Sequence, residues 1–218
     1  MTWDWEYALS VVPKLMSGFS LTLTITGVSF AIALVVGLGF TLIRMARVAV
    51  LSQAMTLFVE FFRGTPLLVQ LFFWFYALPN FGLSMPAVET GIVALSIYAA
   101  SFMSEVYRAG IEALPRTQLE AARVLHIPTV RRWVDIILPQ ATTAVIPPLG
   151  NYLIAMFKYT PILAVITVPE VMQSALSLSS QNYRFLEPVT IVGVLFLAAS
   201  VPSAYLMQRF ERKLASRT

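Results

Sequence analysis

The sequence predicts an all-α integral membrane protein of about five transmembrane helices, with the N-terminus outside, the C-terminus inside and one long cytosolic loop. Three observations carry that expectation. Of 218 residues, 58% are hydrophobic and only 12% are charged, against about 45–50% and about 25% in a soluble domain; mean hydropathy is +0.77. Residues 15–43, 64–88, 90–104, 136–157 and 188–208 are free of charge, and about 20 apolar residues suffice to cross the hydrocarbon core. Lysine and arginine are also segregated. With the N-terminus outside, the inside holds Arg44, Arg47, Arg108, Arg116, Arg123, Arg131, Arg132, Arg209, Arg212, Lys213 and Arg217, and the outside only Lys14 and Arg184, as the positive-inside rule requires.

The spans are placed at about 17–43, 54–79, 88–108, 139–163 and 187–208, within one domain covering 1–218. The cytosolic loop runs from about 109 to 138. The N-terminus has Asp4 and Glu6 where a cleavable signal peptide needs basic residues. Trp3, Tyr7, Val11 and Leu15 recur at helical spacing and predict an amphipathic segment lying at the outer interface; a frayed start is the plainer reading.

Composition excludes several chemistries. The chain has no cysteine and a single histidine, His126, so thiolate zinc sites, iron–sulfur clusters and multi-histidine metal centres are out of reach. The dipeptide Gly-Lys is absent, which removes the phosphate-binding loop. We expect no enzyme activity, no cofactor, no metal and no nucleic-acid partner. An intramembrane enzyme would need a close pair of mid-membrane acids, which the spans lack.

The loop 112–139 carries the most information. Thr117–Glu120 fits a capping box opening a short helix. His126 then turns the chain, Pro128 blocks simple continuation, and Thr129 is placed to cap the next helix. Leu119, Ala122 and the Leu125–Ile127 corner form an apolar tip flanked by arginines, suited to a groove on a partner. An ordinary interfacial loop accounts for the same residues without a partner.

This segment resembles the EAA signature of bacterial ABC-importer membrane subunits, E-A-A-x3-G-x9-I-x-L-P. It reads Glu120-Ala121-Ala122, then position 126, then Ile136, Leu138 and Pro139. His126 stands at the family's glycine, which permits a positive φ; histidine is among the few other residues enriched there. Phe61–Gln70, Tyr107–Ile111, Pro147–Asn151 and Phe157-Lys158 are similar to the span signatures of polar amino acid importers. Gly150–Lys158, Thr160-Pro161, Ala164–Val168 and Arg184–Pro188 are similar to ectoine and hydroxyectoine permeases, although an acidic residue usually stands there at the position of Tyr159.

The resemblance implies the permease subunit of an ATP-driven importer for polar amino acids or related compatible solutes, with ectoine or hydroxyectoine as the finer expectation. Another amino acid is the alternative; a secondary carrier is the more distant one. It also implies a pair of ATP-binding subunits, a second permease subunit (a paralogue rather than an identical copy), an extracytoplasmic solute-binding protein, and the bilayer of the bacterial cytoplasmic (inner) membrane. Glu120, Ala121, Ala122, Leu125, His126 and Ile127 would couple to the ATPase.

Ionisable residues within a span are expensive and face the bundle or a cavity. Glu60 and Arg63 are three apart and are expected to pair; Glu105 and Arg108 likewise, so Glu60, Arg63 and Glu105 are read as structural. Lys158 ends 22 uncharged residues and precedes Pro161, which disturbs the helix. An ammonium beside such a break can hold a carboxylate, with Tyr159, Thr160 and Gln70 nearby; a lysine reaching up to the interface is the plainer reading. The aromatic run Phe72–Tyr76 suits an interfacial belt or, less plainly, a cation–π face.

Overall fold

A segment in hydrocarbon must satisfy its own backbone hydrogen bonds, and the regular elements of this chain are accordingly helices. The computed structural model describes residues 2–46 and 48–215, without the side chains of Arg116, Leu119 and Ala215; among these residues there is no strand. The helices are α1 (Trp5–Arg44), α2 (Ala49–Gly64), α3 (Leu67–Phe72), α4 (Ala87–Glu112), α5 (Arg116–Val124), α6 (Thr129–Arg131), α7 (Leu138–Tyr159), α8 (Val171–Asn182) and α9 (Leu186–Ala215). A π turn at Arg132–Ile137 joins α6 to α7, and a 3₁₀ turn at Thr160–Ile166 follows it. Among the described residues, the run Thr129–Ile166 is therefore one of four helical segments long and apolar enough to cross a membrane, with α1, α4 and Leu186–Leu214.

The second expected span differs. α2 and the run Leu67–Phe81 are bent by 104° at Thr65-Pro66. Pro66 offers no N–H to the preceding turn. Gln70 stabilises the corner: its Nε2 donates to Phe62 O (2.8 Å) and Thr65 O (2.9 Å).

The first span also differs. α1 has 40 residues and starts at Trp5, capped by Asp4, whose carboxylate accepts from the Glu6 and Tyr7 amides. Pro13 does not end it. Val11 and Leu15 pack with Val171, Ala175 and Val192 of α8 and α9. The 3-7-11-15 stripe thus faces protein instead of the interface, because α8 provides an apolar surface that lipid headgroups do not.

The main core lies where α1 and α4 run side by side, with Ile25, Ala33, Leu95, Ala99 and Met103 buried against Leu71, Leu149, Met156 and Leu163. Small residues allow the approach. A Cβ on Gly37 would stand 2.9 Å from Ala100 O and 3.0 Å from Met103 Cβ, whereas one on Gly27 would meet nothing within 4 Å. Gly37→Ala is expected to destabilise the fold by about 1–3 kcal/mol through overpacking, and Gly27→Ala to be neutral or mildly stabilising. Thermal melting of the two purified variants in detergent checks this; equal melting temperatures would remove the close approach as a determinant.

Candidate functional site

Two regions bring the singled-out residues together. The first is the corner between α5 and α6. Leu125 is the C-cap of α5; His126 N donates to Arg123 O and Ile127 N to Ala122 O, both at 3.0 Å. These bonds form a Schellman motif, which needs a left-handed residue after the cap. His126 supplies it with φ 54°, the conformation expected for the position where a glycine was anticipated. His126 and Glu120 are exposed, Val124 and Leu125 project at 76% and 72% exposure, and Ile127 is half-buried.

Three expectations for this loop are corrected. Pro115 and Pro128, not Thr117 and Thr129, occupy the N-cap positions, and neither helix has a side-chain cap. Each proline already sets the extended backbone that precedes a helix, and its missing N–H is not needed there. Glu120 therefore closes no capping box. Ala122 is only 2% exposed, so it belongs to the inner side of α5 and not to the tip. The expected tip residue Leu119 lies outside the described side chains. A bond from Gln140 Nε2 to Gln118 Oε1 (2.9 Å) ties α5 to the start of α7.

The second region is the face formed by α2, α4 and α7. Its ionic centre is Glu105, which pairs with Arg44 of α1 (2.8 Å), Arg63 of α2 (3.2 Å) and Arg108 of its own helix (2.6 Å); Arg108 also reaches Glu112 (2.6 Å). The expected Glu60–Arg63 pair does not form. Glu60 is exposed and without an ion pair among the described residues. Helical spacing puts it near Arg63, but Glu105 offers a carboxylate already screened from water.

Lys158 is exposed and makes no hydrogen bond or ion pair among the described residues. Tyr159 stacks edge-on against Tyr98 (6.1 Å), Tyr98 packs on Phe102 (5.0 Å), and Phe102 on Tyr152 (5.6 Å). Tyr98 stands midway along α4, so Tyr159 and the adjacent Lys158 lie at that depth. The two other candidates, Thr160 and Gln70, already make hydrogen bonds within the protein. Thr160 is buried and its hydroxyl donates to Phe157 O (2.7 Å). Gln70 is 4% exposed, its amide N–H groups are committed to the α2–α3 corner, and its Oε1 is buried without a partner. Sequence reasoning missed Tyr98, Phe102, Tyr152 and Arg44. The Tyr98–Phe102 spacing of four was the available signal; Tyr152 and Arg44 join only through packing.

At the opposite end of α1, Arg184 pairs with Asp4 (3.2 Å) and with Glu187, and its guanidinium lies over Tyr7 (5.3 Å). Glu170 is fully buried and N-caps α8, accepting from Gln173 N at 2.8 Å. Burial pushes its carboxyl above the usual carboxylate range, opposed by the amides of Met172 and Gln173 and by Thr22. These contacts fasten α8 and α9 to the start of α1.

Residues 33–216 match the family described as the binding-protein-dependent transport system inner membrane component. The probable amino-acid ABC transporter permease protein y4tG of Sinorhizobium fredii is 37% identical, covering 99% of this chain and 96% of that protein. The arginine transport system permease protein ArtQ of Bacillus subtilis is 32% identical over 99% of each. A crystal structure of an amino acid ABC transporter with histidines superposes with a TM-score of 0.92 at 33% identity, covering 98% of this chain and 100% of that one. The inward-facing MetNI methionine ABC transporter, at 18% identity and a TM-score of 0.70, shares the fold. With its helical bundle, its apolar spans and a match across most of its length, the chain belongs to the inner-membrane permease components of binding-protein-dependent transport systems.

Proposed function

We propose that the chain forms the translocation path of an ATP-driven importer for a small zwitterionic solute, a polar amino acid or an ectoine-type compatible solute. The carrying observation is Lys158, exposed and without a hydrogen bond or ion pair among the described residues, next in the chain to Tyr159, the first ring of the aromatic column Tyr159–Tyr98–Phe102–Tyr152. An exposed ammonium with no protein partner is free to take an anion in a charge-assisted hydrogen bond, so the face favours ligands with a carboxylate. Relatives named for arginine and glutamine transport support an amino-acid cargo. The similarity of the C-terminal half to ectoine permeases supports ectoine or hydroxyectoine. The neutral Tyr159, where those permeases usually carry an acid, supports the second reading of a different polar amino acid.

The segregation of arginines supports a chain with its N-terminus outside and the α5–α6 corner and C-terminus in the cytosol. That corner would dock on one of a pair of ATP-binding subunits. A solute-binding protein would deliver cargo outside, and a second permease subunit, a paralogue, would complete the path.

The test is reconstitution with the ATP-binding subunits, the paired permease and the binding protein encoded beside it. Uptake should require ATP hydrolysis and survive collapse of ion gradients. Uptake driven by an ion gradient in vesicles holding this chain alone would show a secondary carrier and overturn the proposal. A binding protein whose ligand lacks a carboxylate would overturn the choice of cargo.

A further inference from the structure

The ionic cluster at Glu105 is not balanced. Arg44, Arg63 and Arg108 face it, and the carboxylates paired with them are those of Glu105 and Glu112; one positive charge is in surplus. Its location follows from the contacts. Arg44 is 8% exposed and hydrogen-bonds Thr56 and Ser104 as well. Arg108 is shared between two carboxylates at 2.6 Å. Arg63 has a single contact with Glu105, the longest at 3.2 Å, and is 37% exposed. Glu60, one turn earlier on α2, is exposed and makes no ion pair among the described residues.

The guanidinium of Arg63 also lies 5.4 Å over the ring of Phe102. It therefore borders the third ring of the aromatic column Tyr159–Tyr98–Phe102–Tyr152, whose first ring, Tyr159, follows Lys158 in the chain. The column is half-exposed, and the hydroxyls of Tyr98, Tyr152 and Tyr159 have no hydrogen-bond partner among the described residues. The surplus cation thus borders a row of half-exposed rings with open phenols, and the acid beside it is already paired with two other arginines.

We infer that Arg63 is a specificity-determining residue of the path, a second station that takes the carboxylate of the passing solute after Lys158. This rests on the reading of the chain as a path for a zwitterion. A guanidinium matches a carboxylate with two parallel hydrogen bonds. Arg63 can leave Glu105 at low cost, because Arg44 and Arg108 still satisfy that carboxylate. The flat face of Phe102 keeps the guanidinium attractive to it while one edge turns toward the path.

The experiment uses the complete complex in phosphatidylcholine vesicles, with and without phosphatidylglycerol. It follows initial uptake of radiolabelled ectoine, L-glutamine and L-arginine. Arg63→Gln should lower uptake of the transported solute by about tenfold or more, the worth of one charge-assisted contact. The melting temperature should not change, and Arg63→Lys should restore part of the loss. Uptake within about threefold of the unsubstituted complex overturns the assignment. So does a loss that comes with a lower melting temperature, which would make Arg63 a lock between α2 and α4. A loss confined to vesicles containing phosphatidylglycerol overturns it in favour of a lipid headgroup. A defective Arg63→Gln beside a normal Lys158→Met leaves Arg63 standing and removes Lys158, and the converse result removes Arg63 alone. An unsubstituted complex whose binding protein delivers a solute without a carboxylate overturns both readings.

Discussion

Replacing Lys158 by methionine is expected to collapse uptake while the complex still assembles. Methionine keeps the length and the apolar stem and deletes only the charge. Lys158 is exposed, has no ion pair among the described residues, and its neighbour Tyr159 packs on Tyr98 midway along α4. A lysine whose head group rests at a hydrated interface anchors weakly, and its loss should change uptake by less than about threefold. A lysine that holds a carboxylate away from bulk water loses a charge-assisted hydrogen bond worth about 1.5–3 kcal/mol, or roughly tenfold to a hundredfold in rate. Initial uptake in proteoliposomes at equal complex loading separates the two. A near-normal rate removes Lys158 from the path.

At the α5–α6 corner, His126→Gly is expected to preserve or raise stability and transport, and His126→Val to impair both. Position 126 has φ 54°, which glycine adopts freely. A β-branched residue there costs about 1–2 kcal/mol, enough to open the Schellman bonds from His126 N and Ile127 N and to displace the projecting Val124 and Leu125. If that tip docks on the ATPase, the valine variant should lose ATPase stimulation by the loaded binding protein while still inserting in the membrane. Loss of transport in the glycine variant, with assembly intact, would instead assign a specific role to the imidazole.

Much of this protein follows from local properties. Apolar runs bounded by single charges become helices, because no other segment can satisfy its backbone in lipid without a closed sheet. The left-handed corner at His126 is local too. It depends on the chain direction between two short helices, and the spacing from Glu120 to Pro139 marks its place. The Glu105–Arg108 contact is an i, i+3 pair within one helix, so spacing alone finds it.

Tertiary packing decided what local spacing left ambiguous. Glu60 and Glu105 were both within reach of Arg63 in principle. The crossing of α2 with α4 put Arg63 on Glu105, where Arg44 from α1 also arrives. Gln70 looked like a free polar group in a span, but the 104° bend at Thr65-Pro66 turned its amide back onto Phe62 and Thr65. The start of α1 carries an amphipathic stripe that suits a headgroup layer or a neighbouring helix equally. α8, fastened by Glu170 and Thr22 across 148 residues of sequence, supplied the helix. In each case the sequence determined what a side chain offers, a charge, an amide or an apolar face. Which of several acceptable partners it meets depends on the relative placement of distant helices, because ion pairs and buried contacts form where desolvated partners coincide in space.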